Sequence, residues 1–162
     1  MKSLLYLSLG FFLFINYKCH PQANEKILGS WCYCTKDGQY HEYHFMENEF
    51  DIFTSDSEGE LMGEHFHAYV IRKDSLISVM YGSTHQNDSI RATLEFLSQD
   101  QVLIINKRWT INLNRMQYSY QPPLNGDREA YAKWRDQYEI GFNKRSKKRN
   151  CLEVQILNPG EN

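Results

Sequence analysis

The chain lacks the short motifs that mark the common catalytic classes. There is no Gly-x-Ser-x-Gly, no His-Glu-x-x-His, no glycine-rich phosphate loop and no calcium-binding loop. It also lacks charge of one sign. Its 18 lysines and arginines face 20 aspartates and glutamates, for a net charge of -2. With no global field to draw in a polyanion, nucleic acid is excluded as a partner. The longest apolar run, Leu4 to Ile15, is short of the roughly 20 residues a membrane-spanning helix needs. Cysteine is scarce, and Cys32-x-Cys34 has no second pair to complete a zinc site. His65 and His67 share one face of a strand, while His41 and His44 take opposite faces of theirs. No third ligand stands at diagnostic spacing. These histidines are therefore expected to face solvent, and neither metal nor cofactor is expected.

What is present begins with a leader. Lys2 precedes the apolar run, and a polar stretch follows it, which is the layout of a signal peptide over residues 1–23. Two processing routes fit. Cys19 sits where a lipoprotein carries its lipidated cysteine, although Lys18 before it departs from a lipobox. Cleavage after Ala23 would release the chain free, although Pro21 stands where a small residue is preferred. Either route puts residues 24–162 outside the cytoplasm, secreted, periplasmic or anchored to a membrane by lipid. About 140 residues make one domain with a core that needs no staples.

Strand signals recur every 8–12 residues through the body. They are expected at Trp31–Thr35, Tyr40–Met46, Glu49–Thr54, Glu64–Ile71, Leu76–Tyr81, Ser89–Leu97, Val102–Asn106 and Trp109–Met116. Asn24 to Leu28 is a polar lead-in. Lys36-Asp37-Gly38-Gln39 carries Asp-Gly hairpin chemistry. Ile90, Ala92, Leu94 and Phe96 alternate with polar neighbours, as do Trp109, Ile111 and Leu113. One face is packed and the other wet, as in an antiparallel sheet. Connections this short pair neighbours in a meander, and closure into a barrel removes the two open edges.

Pro122-Pro123 ends the strand region. A helix is expected from about Asp127 to Lys147, with Tyr131, Trp134, Tyr138 and Phe142 as an aromatic stripe packed on the outside of the sheet. Leu152, Val154 and Ile156 then alternate as a short final strand. The carboxylates at Glu47–Glu64 are expected on turns and wet faces. The basic run Lys144 to Arg149 is expected as a solvated helix end. In an oxidising compartment Cys151 pairs with either Cys32 or Cys34, since those two share one side of a strand and a bond between them would be strained.

Gly29 and Trp31 form a Gly-x-Trp opening at the first strand. With the strand count, the late helix and the strand after it, this opening resembles the lipocalin and fatty-acid-binding superfamily, especially small bacterial lipocalin-like domains. The resemblance implies an eight-stranded antiparallel meander barrel with one C-terminal helix. It implies that Trp31 plugs the closed end and that an arginine near the last barrel strand, here Arg115, covers it. An eight-stranded interior holds either packed side chains or one small ligand. Two functions follow, neither an enzyme's. In the first, the barrel binds a small hydrophobic or amphipathic molecule through Tyr43, Phe45, Phe66, Tyr69 and Phe96. In the second, a packed barrel contacts a protein or membrane partner at the cell envelope.

Overall fold

The computed structural model describes residues 23–80, 89–123, 127–149 and 151. A short helix α1 (Ala23–Ile27) leads into β1 (Gly29–Cys34), β2 (Tyr40–Phe45), β3 (Glu49–Ser55), β4 (Leu61–Arg72), β5 (Ser75–Met80), β6 (Ser89–Phe96), β7 (Gln101–Ile105) and β8 (Thr110–Arg115), and α2 (Arg128–Arg149) follows. Each strand pairs antiparallel with the next, and β8 returns to β1 to close the barrel. The expected strands are all present, displaced by a few residues at their ends. The expected strand at 152–156 and residues 1–22 of the leader, Cys19 among them, lie outside the described residues. No helix among the described residues is long and apolar enough to cross a membrane.

Closure requires stagger between strands. The 12-residue β4 supplies it, pairing with β3 through its first two-thirds and with β5 through His67 to Arg72. The Asp-Gly signal at β1–β2 forms the expected hairpin, with Gly38 at φ 86°. The β4–β5 turn places Lys73 at φ 58°, the left-handed geometry that matches a two-residue hairpin to strand twist.

The lead-in differs from expectation, because residues 23–27 coil into α1. Ile27 is fully buried in the barrel core, which pulls the segment across one end. The carbonyls at a helix C-terminus need donors. Arg115 supplies them, donating through Nη2 to Lys26 O (2.7 Å) and through Nη1 to Leu28 O (3.0 Å).

Helix α2 lies on the outer wall. Asp127 caps it, its Oδ1 accepting from the backbone N–H groups of Glu129 and Ala130. Tyr138 and Phe142 are buried against Cys32, Tyr40 and Phe53, with Trp134 partly covered beside them. Cys34 at the end of β1 is bonded to Cys151 just past the helix, and Cys32 stays reduced and buried. The bond spans 117 residues. Cys151→Ser is expected to lower unfolding free energy by about 2–4 kcal/mol under oxidising conditions and by nothing once reductant has opened the bond in both proteins. Urea denaturation with and without dithiothreitol reads this, and an equal loss in both buffers would mean that the serine acts through packing instead.

Candidate functional site

The two ends of the barrel are built differently. At one end Trp31 is fully buried, and its indole N–H donates to Ile27 O at 2.7 Å. Arg115 pairs across the seam with Trp31, lies 4.1 Å from its ring, and also donates through Nε to Gln99 O. One guanidinium thus ties the lead-in and the β6–β7 turn over the plug. Gly29 allows this approach. It has φ 110°, and a Cβ there would stand 3.1 Å from Arg115 Nη1.

The opposite end is open. Strands β1 and β8 share only the rungs Trp31↔Arg115 and Cys32↔Asn114. Beyond them the chain at 33–36 and at 108–112 parts, and both stretches line a cavity of about 970 Å³. Its deeper wall is mostly apolar, built from Tyr43, Phe50, Leu76 and Ile104, all buried. The exposed Lys36, Arg108 and Trp109 stand at the rim. The interior is therefore packed in its plugged half and hollow in the other.

Of the five aromatic residues expected to bind a ligand, Tyr43 lines this cavity. Phe45 and Tyr69 face inward but fill the plugged half, where Phe45 lies across from Gly29 and the Tyr69 hydroxyl donates to Met46 O. Phe96 is also at the plugged end, with the Lys26 ammonium 5.6 Å from its ring. Phe66 stands on the outer face. It is three residues from Tyr69 on one strand, so the two must point opposite ways. Alternation reports the face of a side chain and not its height along the barrel, and height separates Tyr43 from the other three inward residues.

The histidines also depart from expectation. His65 is exposed, but His67 is 5 % exposed, lines the cavity and stacks on Phe50 with ring centroids 4.7 Å apart. His41 stacks on Tyr33 along the same inner face. Burial, with His65 nearby, holds the His67 imidazole below its ordinary range. Burial likewise draws His41 down to about 4, against the pull of Asp37. Both rings are neutral near pH 7. Among the described residues no group of three or more side chains is placed to hold a metal ion.

A second polar centre lies between α2 and the wall, where the sequence suggested only wet carboxylates and a solvated basic run. Glu42 is fully buried. It accepts from Arg145 Nε (2.7 Å) and Nη2 (2.9 Å), from Tyr40 Oη (2.9 Å) and from Tyr138 Oη (2.7 Å). Because Tyr138 gives its proton to Glu42, its oxygen accepts from His44 Nε2 at 2.8 Å, and His44 Nδ1 accepts from Ser30 Oγ at 2.8 Å. Burial alone would raise the Glu42 carboxyl; the donors from His44, Arg145 and Tyr138 outweigh it and hold the group at about 2. Nearby, Asp51 accepts from Tyr120, and Lys147 and Asn143 both donate to Glu60. The acidic hairpins and the basic helix end are complementary surfaces of one docking joint. Opposite runs of charge far apart in the sequence were the one signal that pointed to it. Every polar atom of Glu42 and His44 is engaged within the joint, which marks it as an anchor for α2.

A closed eight-stranded antiparallel meander with a tryptophan-plugged end, an open end and one late helix on the wall is an up-and-down barrel, the architecture that lipocalins share. No protein-family model matches the chain, and no curated protein matches it. Among solved structures it is similar to a lipocalin-like protein from Bacteroides uniformis, at 14% identity and a TM-score of 0.44, with 56% of this chain and 99% of that chain covered.

Proposed function

We propose that this chain is an exported binding protein that holds one apolar or amphipathic small molecule in the open half of its barrel and does no chemistry on it. The observation that carries this reading is the cavity of about 970 Å³ with a mainly apolar wall. Sites for small organic ligands are concave, mostly apolar and roughly 300–1,000 Å³ in volume. Of the expected aromatic set, Tyr43 is assigned to the ligand, and Phe45, Tyr69 and Phe96 to the packing that keeps the other end shut. The Cys34–Cys151 bond supports an oxidising, extracytoplasmic location, as does the leader pattern. Cys19 is the site for a lipid anchor if the leader is processed as a lipoprotein's.

Titration with N-phenyl-1-naphthylamine, a neutral apolar fluorophore, tests the reading. Saturable binding at one dye per chain is expected. Ile52→Trp, which fills the cavity from its wall, should weaken that binding by at least tenfold, about 1.4 kcal/mol. The absence of saturable binding to the unmodified protein would remove the ligand reading.

A further inference from the structure

Two buried residues of the cavity lining are polar, His67 and Ser78. His67 on β4 is 5 % exposed, and its Nδ1 has no hydrogen-bond partner among the described residues. Leaving a buried polar atom unpaired costs about 1–3 kcal/mol, so proteins keep few of them. Ser78 on β5 is 1 % exposed and also lines the cavity. Tyr69 pairs with Ser78 and His67 pairs with Met80, so His67 and Ser78 are diagonal neighbours on one inner face. A half-turn of the imidazole exchanges its nitrogens for carbons of similar size, so the ring can present a nitrogen to the cavity without repacking its neighbours. The rings of Tyr33, Tyr43 and Phe50 line the space around it.

We propose that this polar spot selects the ligand: His67, with Ser78 beside it, takes the single hydroxyl or carboxyl group of an otherwise apolar, ring-bearing molecule. The inference rests on the cavity being a ligand site and names what that ligand must carry. A neutral imidazole and a serine hydroxyl together offer a donor and an acceptor, the pair that a hydroxyl or carboxylic acid satisfies in full. A site built around a hydrogen bond discriminates strongly against an analogue without the polar group, because its own buried atoms are then left unpaired.

The test compares 2-naphthol with naphthalene, each displacing N-phenyl-1-naphthylamine from the full mature protein. The unmodified protein should bind 2-naphthol at least tenfold more tightly. In His67→Phe, which keeps a ring against Phe50, the two affinities should come within about twofold, with naphthalene binding retained. Ser78→Ala should reduce the preference about threefold, and it decides the matter alone if His67→Phe does not fold. Equal affinities in the unmodified protein would mean that solvent already satisfies His67, and the inference falls while the cavity reading stands. A preference that survives the substitutions would place recognition on other residues and overturn the assignment. If neither compound displaces the dye, and the dye itself does not bind, both readings fall.

Discussion

Trp31→Ala is expected to lower the unfolding free energy by about 3–5 kcal/mol, the range for deleting a buried large aromatic side chain. For a domain of this size that is roughly a 10–20 °C fall in Tm. Three losses combine. The indole is fully buried, so its removal leaves a void in the half of the barrel that is packed. Ile27 O loses its donor, and the Arg115 guanidinium loses the ring 4.1 Å beneath it. Trp31→Phe should cost less, since it keeps a ring under Arg115 and gives up mainly the hydrogen bond, worth about 1 kcal/mol. Trp109→Ala is the control. Trp109 is 38 % exposed at the cavity rim, and its loss should stay within about 0.5 kcal/mol. Thermal melts followed by near-ultraviolet circular dichroism separate the three. A Trp31→Ala protein that melts with the parent would show that the plug is not what closes that end.

The second large effect is expected at Glu42. Removing one partner of a buried ion pair leaves the other uncompensated and costs about 3–5 kcal/mol. Glu42→Ala strands Arg145 and removes the acceptor of both Tyr40 and Tyr138. Glu42→Met combined with Arg145→Met removes both charges and should be more stable than Glu42→Met alone. The joint also predicts how stability varies with pH. Glu42 titrates at about 2 in the folded chain, below the 4.5 of a free glutamate. The unfolded chain therefore binds the extra proton first as pH falls. The contribution, about 3 kcal/mol by linkage, is complete above pH 4.5 and is lost as pH drops toward 2. His44 acts in the same direction at higher pH. Burial, opposed by Glu42, keeps its folded pKa below the ordinary 6.5, so the unfolded chain gains a proton there first and stability begins to fall below that value. Urea denaturation from pH 7 to pH 2 should show a loss in both windows. Glu42→Gln should flatten the lower window and deepen the upper one, since it removes the carboxylate that opposes burial at His44. A Glu42→Gln profile parallel to the parent's would show that other carboxylates carry the acid sensitivity.

Much of the architecture was readable before the structure. Alternation at Ile90–Phe96 and Trp109–Leu113 assigned faces correctly, turn residues marked the hairpins, and the aromatic stripe placed α2 on the outer wall. The sequence is silent where a residue's role depends on which distant strand end lies beside it. Phe45, Tyr69 and Phe96 are apolar, inward and aromatic, like Tyr43, yet they pack the shut end. His67 seemed solvent-facing because β4 carries aromatic residues on both parities, Phe66 on one and Tyr69 on the other. Glu42 carries no local signal of its role, because nothing near it in the chain shows that Arg145, 103 residues later, covers it.

The amino-acid order alone determined the number of strands, their antiparallel succession, the need for closure and the helix that follows. These rest on contacts between chain neighbours: a two-residue side-chain period, hairpin turns and a capped amphipathic helix. Only the tertiary structure decided that half of the barrel is hollow, that the cavity wall carries a lone buried histidine, and that one glutamate anchors the helix. Each of these depends on strand stagger and on partners far apart in the chain, and stagger sets the height at which side chains meet, which no local pattern records.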